Sequence, residues 1–188
     1  MQFSELLVKR RSIRKYIEKP VPADVLQEII HDSILAPSAG NGQPWKFIII
    51  NDKDLLQRIS DNCKKSLLAR IESNPNDYVS RYFNMLSNES FHICYNAPSL
   101  VYILGESHVK NLQPDCTLAA SYFMMSAVSR GLGTCWVNFA TALTDPDLLM
   151  EIGIPKDHTI VAPILIGYPA HEPSIPKRNE PIILKTIP

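Results

Sequence analysis

The chain has 188 residues and no formal net charge, because 19 Lys+Arg balance 19 Asp+Glu. Its length predicts a single domain, and a composition of 45% hydrophobic and 20% charged residues is typical of a globular protein. A pI near 7.0 argues against a nucleic-acid-binding domain, and no apolar run is long enough to span a membrane. Without a secretory h-region at the N-terminus, we expect a cytoplasmic protein with no nucleic-acid or membrane partner.

The N-terminal half predicts three helices and one strand. Apolar residues at helical spacing predict helices near 3–10, 23–36 and 52–70. The run WKFIII is rich in β-branched residues and predicts a buried strand. Residues 71–95 are polar and aperiodic but contain several aromatic side chains, and a long irregular stretch inside a compact domain is more often a lid than a linker.

The C-terminal half predicts three more strands and two helices. SLVYILG, TCWVNF and TIVAPILIGYP have the composition of strands, and CTLAASYFMMSAVSRGLG that of an apolar helix ended by Gly131 or Gly133. A short helix, DPDLLMEIG, precedes the last strand. The proline-rich tail, residues 173–188, is expected to be extended and able to add a strand to another surface. Strand–helix alternation alone favours a parallel α/β sheet.

The most unusual local feature is KRRSIRKY at residues 9–16, with five cations in eight positions of a neutral chain. Arg10 and Arg14 could share a helical face, or they could bracket a turn started by Ser12. Guanidinium groups and a hydroxyl that converge on one point make a good phosphate site. The alternative is a solvated helix end whose cations complement the helix dipole.

Three further segments suit a ligand but have ordinary alternatives. In APSAGNGQPWKF, residues 36–47, the amides of Asn41 and Gln43 suit the edge of a heterocycle, or the segment is a turn with Trp45 as a core anchor. In SRGLGTCWV, residues 129–137, the G-x-G follows a helix and precedes a strand, which is the reverse of the Rossmann fingerprint and is also typical of a glycine C-cap. Lys177 and Arg178 form a second basic pair, or are simply solvated.

The cysteines and histidines predict neither a metal site nor a disulfide. Cys63, Cys94, Cys116 and Cys135 lie far apart without a C-x-x-C pair, and we expect four buried or semi-buried thiols in a reducing compartment. The five histidines show no metal-ligand spacing. Neither a nucleophile elbow nor a P-loop is present in the sequence.

In this order and spacing, RRSIR, APSAGNGQPW, GLGTCWV and PKR resemble the FMN-dependent nitroreductase family, as do NAPSLVYI and IGYP. The resemblance spans nearly the whole chain. It implies an α+β fold, an α/β/α three-layer sandwich whose central sheet is mixed but largely antiparallel, in place of the parallel sheet. It further implies a homodimer of single FMN-binding domains, residues 1–188, with residues 71–95 as a lid and 173–188 as an arm exchanged between subunits.

The resemblance also implies roles for individual residues. Phosphate and ribityl groups of FMN would be bound by Arg10, Arg11, Ser12 and Arg14, joined by Lys177 or Arg178. Backbone N–H groups would be presented to the flavin edge by Gly131, Leu132 and Gly133. The other subunit would contribute Pro37, Ser38, Ala39 and Asn41, with Gln43 nearby.

The activity implied is two-electron, ping-pong transfer from NADH or NADPH to a small-molecule acceptor, a nitroaromatic or a quinone, with no catalytic side chain required. The same FMN fold with dehalogenation, flavin fragmentation or enone reduction is an alternative. A third hypothesis is a non-enzymatic module that binds an acidic partner through KRRSIRK.

Overall fold

The computed structural model describes residues 2–188, which form six α-helices and one four-stranded sheet. The helices are α1 (Phe3–Lys9), α2 (Ala23–Ser33), α3 (Lys53–Ser73), α4 (Phe83–Leu86), α5 (Leu112–Ser129) and α6 (Pro146–Ile152). The strands are β1 (Lys46–Ile50), β2 (Ser99–Glu106), β3 (Gly133–Trp136) and β4 (His158–Gly167). Within this range no helix is both long and apolar enough to cross a membrane.

The sheet has the order β1-β2-β4-β3, and all neighbouring strands are antiparallel. Among the residues described, a parallel contact occurs at the isolated bridge between Ser12 and Thr134, beside β3. The largely antiparallel sheet of the α+β fold is therefore confirmed. The parallel sheet suggested by alternation alone is wrong, because the chain between α3 and β2 folds back over residues 74–98 and re-enters the sheet in the opposite direction.

Helices cover both faces of the sheet, which confirms the three-layer sandwich. On one face, α3, α4 and α6 pack on side chains such as Leu100, Tyr102 and Leu165. On the other face, α2 and α5 pack on Val101, Ile103 and neighbouring residues of β4. Successive residues of β2 thus point to opposite cores, and their complete burial explains why this strand is continuously apolar.

Several predicted boundaries differ from the structure for local reasons. β1 is an edge strand in which only Ile50 is buried, so the prediction of a buried strand is wrong; its outer edge has no neighbouring strand within the described residues. α5 begins at Leu112, because Pro114 is tolerated in a first helical turn. Gly131, with φ of 74°, follows the end of α5 in the left-handed conformation, whereas Gly133 begins β3.

The region from 71 to 95 is more ordered than its sequence suggests. α3 continues to Ser73, a 3₁₀ turn spans Tyr78–Tyr82, and α4 follows. Val79, Leu86 and Ile93 are fully buried. They lie seven residues apart in three different local structures, so no helical or strand periodicity marks them in the sequence. Their burial fixes the segment to the core, while Tyr78 and Phe83 stay about half exposed.

The cysteines and the C-terminal tail can be compared directly with their predictions. All four cysteines are free and buried, which confirms the prediction of buried thiols. The tail from 173 to 188 contains neither helix nor strand. Its apolar residues Ile182, Ile183 and Leu184 are 86%, 76% and 96% exposed, so the core of this chain does not cover them.

Candidate functional site

The basic cluster, defined as Arg10, Arg11, Ser12 and Arg14, lies along the β3 edge of the sheet. α1 ends at Lys9, and the chain then runs extended rather than continuing as a helix. The Ile13 N–H donates to the Thr134 carbonyl at 2.9 Å, and the Ile17 N–H donates to the Tyr168 carbonyl at 2.9 Å. A side chain at Gly133 would overlap that of Ile13, so glycine is required for this close approach.

The arginines of the basic cluster have no carboxylate partner within residues 2–188, unlike three other arginines of the chain. Arg58 forms a two-pronged pair with Glu151, at 2.8 and 2.6 Å. Arg70 pairs with Asp77 at 2.7 Å, and Arg130 pairs with Asp32 at 2.7 Å. These three arginines are thus paired with carboxylates, whereas the arginines at the β3 edge remain available, which fits a polyanionic group such as a phosphate.

Aromatic side chains adjoin the basic cluster. The Arg14 guanidinium lies 5.8 Å from the centroid of the Tyr95 ring, a cation–π distance. Tyr95 meets Phe91 edge-to-face at 5.7 Å, and Tyr82 meets Phe139 in the same way at 5.1 Å. We call these four residues the aromatic wall. Sequence reasoning missed Phe139 entirely, because nothing in the local pattern of β3 and its continuation marks it as a neighbour of residue 82.

Burial sets the ionisation of the groups beside Arg14. It raises the pKa of Tyr16 well above its ordinary value, and the Tyr16 hydroxyl donates to the Ile13 carbonyl at 2.7 Å. Burial also raises the pKa of Cys135, although Arg14 and Arg10 partly oppose this shift. Both side chains therefore stay neutral at physiological pH and add no negative charge beside the arginines.

In the turn from 131 to 133, two of the three backbone N–H groups expected to face a ligand are hydrogen-bonded within the chain. The Gly131 N–H donates to the Val128 carbonyl at 3.0 Å, and the Leu132 N–H donates to the Ala127 carbonyl at 2.9 Å. Both amides are thus used to end α5 within the single chain, and their place at a ligand stays a prediction. In sequence, a glycine pair after a helix is typical both of a helix C-cap and of a ligand-binding turn. In the single chain the C-cap hydrogen bonds engage the Gly131 and Leu132 N–H groups.

Arg130, the C-cap residue of α5, attaches the start of this turn to the neighbouring helix α2. Its guanidinium donates to Asp32 at 2.7 Å, to Glu28 at 3.2 Å and to the Ser126 hydroxyl at 2.6 Å. The Ser126 hydroxyl in turn donates to Asp32 at 2.7 Å. This network ties α2 to the end of α5 immediately before Gly131.

Residues 37–43, the 37–43 loop, form a second ligand-competent feature. Gly40, Asn41 and Gln43 have left-handed φ values of 57°, 56° and 45°, which is unusual for the two non-glycine residues. The loop supports itself, since the Gln43 N–H donates to Ser38 Oγ at 3.0 Å and Gln43 Nε2 donates to Asn41 Oδ1 at 3.2 Å. Pro37, Ala39, Asn41 and Gln43 are exposed, and Trp45 after the loop is buried as expected.

One chain does not bring the basic cluster and the 37–43 loop together. The loop leads into β1, and β1 and β3 are opposite edges of the sheet, three strand spacings or roughly 14 Å apart. The two features also lie at opposite ends of β2. The loop enters β1 at Lys46, which pairs with Leu104 near one end of β2, whereas Thr134 aligns through Ile166 with Ser99 at the other end. Lys177 and Arg178 lie in the exposed tail, and no described contact joins them to either feature.

The remaining reactive groups do not form a centre of their own. Burial raises the pKa of Cys63 and of Cys116 to about 12, so these thiols stay protonated. Within residues 2–188, no group of three or more His, Cys, Asp or Glu side chains is arranged to hold a metal ion.

Comparison with known proteins agrees with these features. The model of the nitroreductase family matches residues 7–168. A protein of Archaeoglobus fulgidus described as an NADH dehydrogenase/NAD(P)H nitroreductase is 28% identical, over 89% of this chain and 86% of its own length. Iodotyrosine deiodinase 1 of Homo sapiens is 24% identical, over 93% of this chain and 64% of its own length.

Solved structures show the same fold. A nitroreductase with bound FMN from Bacteroides fragilis superposes with a TM-score of 0.82 at 25% identity, covering 100% of this chain and 98% of its own. Oxidised iodotyrosine deiodinase bound to FMN and 3-iodo-L-tyrosine superposes with a TM-score of 0.78 at 22% identity, covering 99% and 100%.

Proposed function

This chain belongs to the nitroreductase family, and we propose that it is an FMN-dependent oxidoreductase that passes two electrons from NADH or NADPH to a small-molecule acceptor, a nitroaromatic or a quinone. The observation that carries the proposal is the charge left unpaired at the β3 edge beside an aromatic wall. A phosphate with a planar ring system attached is the kind of ligand that such a combination suits.

The basic cluster would hold the phosphate and ribityl groups. Arg14 and Arg10 would provide charge-assisted hydrogen bonds, and the Ser12 hydroxyl a neutral one. Arg11 would join them from the side of the cluster that faces Lys9 and Glu172. Lys177 or Arg178 would add charge once the tail is ordered.

The complete site would require a homodimer. Because the 37–43 loop lies at the opposite corner of the same chain, Pro37, Ser38, Ala39, Asn41 and Gln43 would reach FMN from the second subunit. The exposed apolar residues of the 173–188 arm would be buried by crossing to that subunit. Each chain, residues 1–188, would then be one domain that contributes to two sites.

Bound FMN would supply the hydride-transfer chemistry itself. The residues of the chain would bind it, orient it and keep water from one side of it. Gly131, Leu132 and Gly133 would line the ring edge as a rigid turn, with Arg130 held by Asp32 behind it. The protonated thiols offer no competing nucleophile, and we assign no catalytic side chain.

Residues 71–95 would form the lid over the acceptor. Arg70 with Asp77 at one end, and Lys64 donating to the carbonyls of Asn88 and Phe91 at 2.9 and 3.0 Å at the other, would serve as its fixed ends. The exposed rings of Tyr78 and Phe83 lie between these ends and would set acceptor preference.

Anaerobic stopped-flow of the purified protein tests the function. We expect FMN absorbance on the protein peak, bleaching by NADH or NADPH, and recovery on adding a quinone or a nitroaromatic. A protein that binds no FMN when titrated would refute the proposal.

Reductive dehalogenation is a second candidate, favoured by the similarity to iodotyrosine deiodinases over 93% of the chain. The same instrument decides between the two: recovery of absorbance with 3-iodotyrosine that outpaces recovery with quinone would assign dehalogenation.

A further inference from the structure

Asp115 is a buried carboxylate that the proposed FMN site does not use directly. It lies in the first turn of α5 and is 5% exposed. It forms no salt bridge within the described residues. The positive end of the α5 dipole lies at this turn, where acidic side chains are favoured.

The Asp115 carboxylate joins α5 to the 37–43 loop, because its Oδ1 accepts the Ala39 N–H at 3.1 Å. Ala39 directly precedes the left-handed residues Gly40 and Asn41. Such conformations are costly for non-glycine residues and persist where surrounding contacts over-determine them. The hydrogen bonds from Gln43 lie within the loop and hold its shape, but they do not attach it to the rest of the molecule.

An open cleft of about 510 Å³ borders the loop beside the start of α5 and the end of β2, with Gly42, Gln43, Lys110 and Asp115 among its walls. Gly42 and Gln43 are exposed, so apolar packing holds this side of the loop little. The Asp115–Ala39 hydrogen bond is therefore the polar tether that sets the position of the loop relative to α5.

We propose that Asp115 is a positioning residue for the cofactor: it holds the 37–43 loop in the shape that completes the FMN site of the partner subunit. This inference rests on the proposed function, in which that loop crosses the interface. Loss of this hydrogen bond to the Ala39 amide is expected to weaken FMN binding about tenfold, without contact between Asp115 and FMN.

Variants of Asp115 test the tether. We expect Asp115→Ala to bind FMN about tenfold more weakly, and Asp115→Asn, which keeps an oxygen acceptor, to bind close to wild type. Asp145→Ala is the matched control, because Asp145 also accepts backbone N–H groups, at 2.9 and 3.2 Å, but at the start of α6. If Asp115→Ala does not fold, Asp115→Ser takes its place, since its shorter side chain fits the same space and cannot reach Ala39.

Amide hydrogen exchange of the 37–43 loop, measured without flavin, separates the tether from the proposed function. We expect faster exchange in Asp115→Ala and wild-type exchange in Asp145→Ala. Unchanged exchange with unchanged FMN affinity in the Asp115 variants would overturn the inference. If the wild type binds no FMN but the loop still exchanges faster in Asp115→Ala than in the wild type, the proposed function is refuted and the tether is not.

A mixed dimer shows across which interface Asp115 acts. A heterodimer of one Asp115→Ala chain and one Arg14→Ala chain, isolated with two tags, has one undamaged site if the loop serves the partner. We expect it to bind one FMN with wild-type affinity. Two weakened sites would place the loop and the basic cluster of one chain in the same site and overturn the proposal.

Discussion

The β3 edge of the sheet keeps three arginines without a carboxylate, whereas at the β1 edge the 37–43 loop satisfies its polar groups with its own side chains and Asp115. The β3 edge thus offers unpaired positive charge, and the β1 edge offers a loop of fixed shape. A ligand with a phosphate and a flat heterocycle requires both. Because the two edges are opposite corners of one chain, this difference favours a site assembled by dimerisation.

The largest effect should come from removing the arm that would join the two corners. We expect truncation after Glu172 to yield a colourless monomer or aggregate, because it deletes Lys177, Arg178 and the exposed apolar arm. This cut leaves the Ala170 N–H donating to the Lys15 carbonyl, so the basic cluster keeps its backbone support. Light scattering and flavin absorbance on one chromatographic peak measure the outcome.

The double substitution of Lys177 and Arg178 by alanine is the control for charge. It keeps the arm, and we expect a dimer that binds FMN about tenfold more weakly. A truncated protein that elutes as a soluble yellow monomer would show that one chain binds FMN without the second subunit, contrary to a site assembled from both edges.

Replacing an arginine without a carboxylate partner should affect FMN binding, whereas replacing a paired arginine should not. We expect Arg14→Ala to weaken FMN binding by about 1.5–3 kcal/mol, or about 10- to 150-fold, because a charge-assisted contact to phosphate is lost. Arg58→Ala, which removes the exposed pair with Glu151, should change the free energy of unfolding only slightly and leave FMN affinity unchanged. Titration of both apo-proteins with FMN provides the test, and equal affinities would remove Arg14 from the phosphate site.

The lid should affect the acceptor and not the cofactor. We expect Tyr78→Ala and Phe83→Ala to change the ratio of kcat/KM between a quinone and a nitroaromatic several-fold, with FMN affinity intact, because both rings are exposed above a buried base. Val79→Ala is the control, since Val79 is fully buried and its truncation should lower stability instead. Parallel loss of FMN and activity in the Tyr78 and Phe83 variants would make them structural residues.

The smallest effect concerns the Asp32–Arg130 pair behind the 131–133 turn. Hydrogen bonds from Ser126 and then Arg130 hold the pKa of Asp32 below its ordinary value of 3.8, against the opposing effect of burial. Because the folded-state pKa is depressed, the stabilisation is present above pH 4 and is lost as the pH falls through the folded-state pKa. It should be modest, since the carboxylate is partly exposed.

Urea unfolding of wild type and Asp32→Asn from pH 7 to pH 2.5 measures this contribution. The two curves should differ at pH 7 and converge at the acid end. A difference independent of pH would mean that shape, and not charge, fixes the turn before Gly131.

Local spacing was enough to predict much of this protein from its sequence. Apolar periodicity located α2 and α3, because a helix repeats every 3.6 residues whatever it packs against. Runs of β-branched and apolar residues located β2 and β4, because such side chains favour a packed, extended strand. Four short motifs in order identified the family, and the basic cluster stood out because five cations are uncommon in a neutral chain.

Only the tertiary structure decided which groups meet. The direction of β2, the edge position of β1, and the engagement of the Gly131 and Leu132 amides all depend on neighbours that local sequence does not specify. The same holds for Arg58, Arg70 and Arg130, which resemble the basic-cluster arginines in sequence but find carboxylates 93, 7 and 98 residues away. Partner choice is a long-range property: hydrogen bonds and ion pairs form between groups that the sheet order brings together, and that order is set by the packing of the whole chain.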